Sequence, residues 1–165
     1  MGLQTPYLKY NRKDWPHWID EDNDCQNTRS EILQRDSLSP VRFKRSKGCN
    51  VTWGKWLDPY TNQTFTKASD IDIDHVVPLA HAHKFGGYNW TRKQKRVFAN
   101  DLENLISVED NANQAKSYKA PHQWMPANNA YHCTYLKKWQ RIKAKYQLSA
   151  SKQEIYFIKN VKCKA

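Results

Sequence analysis

Three features that mark particular classes of protein are missing from this sequence. No apolar run approaches the roughly 20 residues that a membrane-spanning helix needs. The mean hydropathy is −0.95, so we expect no membrane partner. None of the four cysteines belongs to a Cys-x-x-Cys pair, which argues against a zinc ribbon or knuckle. Internal repeats and low-complexity tracts are also missing, and we therefore predict one domain over residues 1–165.

Acidic residues are scarce relative to basic ones. Lys and Arg number 27 against 16 Asp and Glu, which gives a formal net charge of +11. Such a surplus favours a polyanionic partner, with nucleic acid ahead of anionic membranes or cell-wall polymers. Aromatic residues make up 13% of the chain, enough core-forming side chains to exclude a disordered protein.

The cysteines are even in number and widely spaced, which fits two disulfides with three alternative connectivities. We favour Cys25–Cys49 and Cys133–Cys163, because each bond closes a local loop and the second pins the C-terminal tail. Free buried thiols are the alternative. Disulfides persist outside the reducing cytosol, so we expect a secreted or periplasmic protein. The first residues do not form a signal peptide, since charged residues precede any apolar core.

The hydrophobic pattern predicts an α+β fold. A hairpin is expected over residues 47–65, a strand ending at His75, and a second short strand over residues 102–110. Helices are predicted at residues 27–37, 90–101, 111–118, 131–148 and 151–163, with Asn27 or Thr28 capping the first and Asp110 the third.

The stretch "DIDIDHVVPLAHAH" concentrates acids and histidines between Asp70 and His83. Its first residues alternate between aspartate and isoleucine, the pattern of a strand with one buried face. Three neighbouring carboxylates repel one another unless a cation or basic groups offset their charge. A solvated acidic strand edge is the alternative interpretation.

This stretch and a second one, "ANDLENLISVEDNANQAKS", together resemble the HNH, or ββα-metal, nuclease motif. More closely, the chain is similar to secreted bacterial proteins related to the C-terminal domain of the GmrSD restriction enzyme. The flanking "DWPHWIDEDNDCQNTRSEIL" and "WGKWLDPYT" match as well, so that the resemblance covers roughly residues 10–148. It implies a ββα-metal core at about residues 70–119, with additional helices and a short hairpin.

The resemblance also assigns roles to residues. It makes His75 the general base, Asp74 and Asn113 the ligands of a metal ion, and Asn104 the residue that orients His75 through its amide carbonyl. Imidazole is the natural base near neutral pH, and hard cations prefer oxygen ligands. The implied ion is Mg²⁺, with Mn²⁺ or Ca²⁺ as substitutes. Lys116, one turn beyond Asn113, is expected to contact a phosphate.

Ordinary structural roles are the alternatives for the same residues. His75 would then be a histidine at a strand end whose hydrogen bonds are all made within the protein. Asn104 would be a turn or cap residue, and Asn113 and Lys116 would be solvated helix residues. If "LAHAHKF" is helical, His81 and His83 do not share a face, which argues against a two-histidine zinc site.

We therefore predict a metal-dependent HNH endonuclease that hydrolyses phosphodiester bonds of DNA with little sequence specificity. RNA is an alternative second substrate. Arg92 and Arg96, on a basic helix face, are expected to contact the phosphate backbone. The competing hypotheses are a basic nucleic-acid-binding protein with a decayed site and a protein with a structural metal. Whether a protein inhibitor or immunity partner exists stays open.

Overall fold

Residues 9–163 are described by a computed structural model, in which helices surround two small antiparallel sheets. The α-helices are α1 (Thr28–Asp36), α2 (Leu79–Lys84), α3 (Arg92–Ala99), α4 (Asp110–Lys116), α5 (His132–Lys145) and α6 (Lys152–Asn160). The strands are β1 (Arg42–Phe43), β2 (Val51–Leu57), β3 (Thr64–Lys67), β4 (Ile71–His75) and β5 (Leu105–Glu109). The α+β class predicted from the sequence is confirmed. No helix within residues 9–163 is long and apolar enough to cross a membrane.

The first sheet has the order β1-β2-β3 and contains the predicted hairpin. The turn between β2 and β3 is built by Asp58, whose carboxylate accepts hydrogen bonds from the backbone of Tyr60 at 3.1 Å and of Thr61 at 3.0 Å. Asp58 is fully buried, so these bonds satisfy a charge that would otherwise be costly. The turn thereby carries the ring of Tyr60 into the protein interior.

The second sheet pairs β4 with β5, and α4 packs against both strands. This is the ββα arrangement that the resemblance implied. Ile71 and Ile73 are buried on one face of β4, as the alternation predicted. Asp70 lies in the short 3-10 turn before the strand, so only Asp72 and Asp74 of the three aspartates belong to β4.

The two-stranded sheet separates two hydrophobic clusters. On one face, Ile71, Ile73 and Leu105 pack with Trp56 and with residues of α1. The other cluster contains Ile106 and Val108 together with aromatic residues from α5 and from the N-terminal segment. Because both faces are covered, all five residues of β5 are buried, and the sheet is held firmly at the centre of the fold.

Helix ends follow the predicted caps with one correction. Asn27 caps α1 by accepting a hydrogen bond from the backbone of Ser30 at 3.0 Å. Asp110 does not cap α4 as predicted, because it is the first helical residue. Glu109 is the cap instead, since its longer side chain places both carboxylate oxygens on backbone N–H groups of the first turn.

Both predicted disulfides are present, Cys25–Cys49 and Cys133–Cys163, and no free cysteine is left. The first bond ties the loop before α1 to the start of β2. The second ties the start of α5 to the segment after α6. Closing loops of these lengths stabilises a fold by about 3–4 kcal/mol each through the unfolded state.

Candidate active site

Asp74 and His75 are the last two residues of β4. Pairing with β5 sets Asp74 opposite Ile106 and His75 opposite Leu105. Beyond His75 the chain leaves the sheet, and the backbone N–H of Val76 donates to the carbonyl of Asn104 at 2.9 Å. The strand end therefore brings the two residues to one place in a fixed register.

The imidazole of His75 is held as one defined tautomer. Its Nε2 lies 2.8 Å from the carbonyl oxygen of Ala99, at the end of α3. Because a carbonyl only accepts, Nε2 carries the hydrogen and Nδ1 carries the lone pair. Burial lowers the pKa of His75 to about 3, so the ring is neutral near pH 7. The indole of Trp18 stacks on it, with ring centroids 5.5 Å apart.

Asn104 does not make the predicted hydrogen bond to His75. It lies in the 3-10 turn before β5 rather than in the strand, and it is fully buried. Its Oδ1 accepts from the backbone N–H of Val77 at 2.8 Å, and its Nδ2 donates to the Val77 carbonyl at 3.0 Å. A buried amide needs partners for both groups, and Val77 satisfies both. Asn104 thus fixes the chain just after His75, while Ala99 orients the ring.

Asp74 is buried between a phenol and an ammonium group. Its Oδ2 accepts from the hydroxyl of Tyr60 at 2.6 Å, and its Oδ1 accepts from Nζ of Lys116 at 3.2 Å. Burial raises the pKa of Asp74, and Lys116 opposes that shift. Each carboxylate oxygen has two lone pairs, so these two donors leave acceptor positions for a further ligand.

The role predicted for Lys116 is wrong. We predicted a contact with a phosphate, but the side chain is 0% exposed. Its Nζ donates to the carbonyl oxygen of His75 at 2.9 Å as well as to Asp74. The helical spacing did place Lys116 on the same face of α4 as Asn113, but that face packs against β4. Its positive charge compensates Asp74 and is not available to a substrate.

Asn113 reaches the same place from α4. Its Nδ2 donates to Oδ2 of Asp72 at 3.0 Å, which fixes the orientation of the amide. The carbonyl oxygen of Asn113 is then left as an acceptor. A carboxylate and an amide oxygen form a donor set that suits a hard cation, so Asp74 and Asn113 fit the predicted ion by their chemistry.

These groups line one cleft with a volume of about 280 Å³. Besides Asp74, His75 and Asn113, its walls include residues of the N-terminal segment, of β4, of the start of α2 and of the turn after α4: Tyr10, Arg12, Ile73, Pro78, Leu79, Ala80, Ser117 and Tyr118. The structure therefore brings together the predicted base and both predicted metal ligands.

Arg92 and Arg96 line a different depression. It has a volume of about 800 Å³ and also contains Lys93, Lys145 and Asn100. The N-terminal segment borders both depressions, since Ile19 lines the larger one while Trp18 stacks on His75. We call the larger depression the basic groove.

The two histidines of α2 do not belong to the site. The helix is formed as expected, and both His81 and His83 are buried. Nε2 of His81 lies 2.8 Å from Nζ of Lys143, which itself forms an ion pair with Glu154 at 3.0 Å. His81 therefore belongs to a buried network that joins α2, α5 and α6.

Several residues of the site were missed by the sequence reasoning. Neither Tyr60 nor Trp18 was among the predicted site residues. No local pattern indicates that Tyr60 contacts Asp74, because the contact depends on the fold. Trp18 stands out only in the structure, since its φ of 56° is uncommon for a bulky residue.

A further group of carboxylates lies outside the cleft. Oxygens of Asp20, Asp22 and Asp24 come within 4.8 Å of one another. Their spacing could have been noticed in the sequence, because together with Glu31 they match the acidic positions of a calcium-binding loop, with Cys25 where that pattern has glycine. Any experiment that varies divalent cations has to allow for this group.

Comparisons with known proteins give a family. Residues 27–155 match the family described as GmrSD restriction endonucleases, C-terminal domain. An "uncharacterized secreted protein" of Arthroderma benhamiae is 46% identical over 153 residues, which cover 92% of this chain and 73% of that protein. No solved structure matches the chain significantly. The family match spans most of the chain and agrees with the resemblance of the sequence motifs, and the chain thus belongs to the family of GmrSD restriction endonuclease C-terminal domains.

Proposed function

We propose that this protein is a metal-dependent endonuclease that hydrolyses phosphodiester bonds of DNA, and of RNA as a further substrate, with little sequence specificity. The observation that carries the proposal is the state of His75. It is a neutral imidazole whose Nε2–H is fixed by Ala99 and whose ring lines the same cleft as Asp74 and Asn113.

His75 has the tautomer that a general base requires, with Nε2–H held by Ala99 and the ring neutral. A neutral imidazole accepts a proton from water at the nitrogen that carries the lone pair, here Nδ1. The Ala99 carbonyl stabilises the ring during that transfer, because its bond to Nε2–H strengthens when the imidazole becomes positively charged. Trp18 covers one face of the ring, so water and substrate approach from the cleft.

Asp74 and Asn113 are the residues that would hold the metal ion. When bound there, Mg²⁺ supplies Lewis-acid stabilisation of charge on the phosphate and the leaving oxygen. The chain itself provides the orientation of both ligands. Tyr60 and Lys116 fix the carboxylate of Asp74, and Asp72 fixes the amide of Asn113. Such supporting contacts typically matter 10–100-fold for metal affinity or activity, to order of magnitude.

The basic surface supports a nucleic-acid substrate. Arg92, Lys93 and Arg96 project from α3 into the basic groove, and the net charge of the chain is +11. Contacts of this kind bind the backbone without reading bases. Affinity should therefore fall steeply as the salt concentration rises, and to a similar degree for unrelated sequences.

An extracellular location is part of the proposal. It is supported by the two disulfides, which persist in oxidising compartments, and by the related protein that is described as secreted. The related protein gives no support to a periplasmic location.

The direct test is incubation of supercoiled plasmid with the purified protein in Mg²⁺ or in EDTA. We expect nicked and linear products in Mg²⁺ and none in EDTA, while salt-sensitive binding persists in both. Binding without cleavage at any divalent cation would favour the non-catalytic binding protein instead. A double variant, Asp22→Asn with Asp24→Asn, serves as the control for cations held outside the cleft, and it should keep the same Mg²⁺ requirement.

A further inference from the structure

The proposed function does not yet name a side chain that binds the phosphate entering the cleft. A phosphodiester that enters it approaches the carboxylate of Asp74, while Lys116 is buried behind that carboxylate. Among the described residues that line the cleft, Arg12 is the one with a cationic side chain. Arg12 comes from the N-terminal segment, which precedes the part of the chain that matches the family, residues 27–155.

The backbone of Arg12 is held in place by the fold. It begins a one-turn 3-10 helix, Arg12–Asp14, which Asn11 caps by accepting from the backbone of Lys13 at 3.0 Å. The turn is anchored by Trp15, whose backbone N–H donates to the Arg12 carbonyl at 3.1 Å. The Trp15 ring is fully buried and packs against Trp90 and Phe98.

The guanidinium group, in contrast, keeps most of its donors available. It makes a long hydrogen bond at 3.4 Å between Nη2 and Nε2 of His17, and it also interacts with the hydroxyl of Tyr10. Arg12 is exposed, and no carboxylate within residues 9–163 forms an ion pair with it. A guanidinium has five N–H donors in a planar fork that matches two oxygens of a phosphate. Most of these donors have no partner in the protein.

We infer that Arg12 binds non-bridging oxygens of the phosphate that enters the cleft, the contact that we had predicted for Lys116. This inference rests on the proposed function and names the residue that binds the phosphate in the same site. The N-terminal segment then has two contributions to the cleft. Trp18 covers the imidazole of His75, and Arg12 adds a positive charge for the phosphate beside the metal ion proposed at Asp74.

Binding of thymidine 3′,5′-bisphosphate, measured by isothermal titration calorimetry, tests this inference without requiring cleavage. Arg12→Met should weaken binding about 10–100-fold, the range expected for the loss of charged hydrogen bonds. Arg12→Lys should fall between Arg12→Met and the wild type, because it keeps the charge but loses the fork. Lys13→Met is the matched control, since Lys13 is the exposed neighbour in the same turn and does not line the cleft.

The outcomes separate this inference from the proposed function. Equal affinity of Arg12→Met and wild type, equal losses in Arg12→Met and Lys13→Met, or a wild type that does not bind the bisphosphate would each overturn the role of Arg12. A wild type that binds the bisphosphate through Arg12 but leaves plasmid intact would overturn the nuclease proposal alone. Thermal unfolding of each variant verifies that the exposed substitutions leave the fold intact.

Discussion

Two regions of this protein each bury a lysine, a carboxylate and a histidine, but the histidines have different hydrogen-bond partners. In the cleft, Lys116 pairs with Asp74 beside His75. Beneath α5 and α6, Lys143 pairs with Glu154 beside His81. Burial lowers the pKa of both histidines, to about 3 for His75 and about 2 for His81, so both rings are neutral near pH 7.

The difference lies in the lone pair of each imidazole. The ammonium of Lys143 donates to Nε2 of His81 at 2.8 Å, so that lone pair is already engaged. Lys116 instead donates to the backbone carbonyl of His75, and the ring gives its N–H to Ala99. A buried histidine beside a lysine and a carboxylate is therefore a candidate base only when its acceptor nitrogen is left for the substrate side.

The largest expected difference between the two regions is in the effect of replacing each histidine on the cleavage rate. His75→Ala should lower cleavage by about 10²–10⁴, the usual cost of removing a general base, while DNA binding is retained. His81→Gln should leave cleavage unchanged, because Gln keeps an acceptor for Lys143 and His81 does not line the cleft. Initial rates on plasmid, with binding measured in EDTA, give the comparison. Equal losses in rate and affinity for His75→Ala would assign His75 to binding or folding.

The two lysines should differ in function but not in stability. Lys116→Met and Lys143→Met each leave a buried carboxylate without its partner, which typically destabilises a protein by about 3–5 kcal/mol. Cleavage should fall in Lys116→Met alone, since Asp74 then loses the donor that orients it. Urea unfolding and cleavage rates are measured side by side.

Double variants show whether a loss of cleavage in the second prediction is caused by unfolding. Lys116→Met with Asp74→Asn, and Lys143→Met with Glu154→Gln, each remove the uncompensated charge and should recover much of the lost stability. The first pair should remain inactive and the second active. Normal cleavage by the first pair would remove the Asp74 carboxylate from the proposed metal ligands and make the Asp74–Lys116 contact purely structural.

The smallest expected effect is the contribution of His81 to the pH dependence of the free energy of unfolding. His81 faces Lys143 from α5 and Glu154 from α6. Its pKa is lowered from 6.5 to about 2 in the folded protein. As the pH falls below 6.5, the unfolded chain therefore binds a proton that the folded chain does not, and stability is lost. From pH 7 to pH 5 this amounts to about 2 kcal/mol.

Urea unfolding of the wild type and of His81→Gln at both pH values isolates this contribution, because His75 is present in both proteins. The wild type should lose more stability than the variant on acidification. Parallel losses would show that His81 takes up a proton in the folded state as readily as in the unfolded state.

Much of the site could be predicted because its parts are local in the sequence. Alternation placed Asp72 and Asp74 together on β4, and the three-residue spacing placed Asn113 and Lys116 on one face of α4. The cysteine pairs were also correct, since each closes a short loop. Sequence spacing indicates which residues share a helix face but not which part of the protein that face packs against. The prediction that Lys116 contacts a phosphate was wrong for this reason.

By itself, the sequence determined which residue types stand at the end of β4 and on α4, the basic charge of the chain, and the local loops that its cysteines close. Only the tertiary structure decided which partner each side chain has. Tyr60 reaches Asp74, Ala99 replaces Asn104 as the partner of His75, and the N-terminal segment supplies Trp18 and Arg12 to the cleft. The reason is physical. Strand and helix periods fix positions over a few residues, whereas burial and hydrogen-bond partners depend on segments that meet only when the whole chain packs.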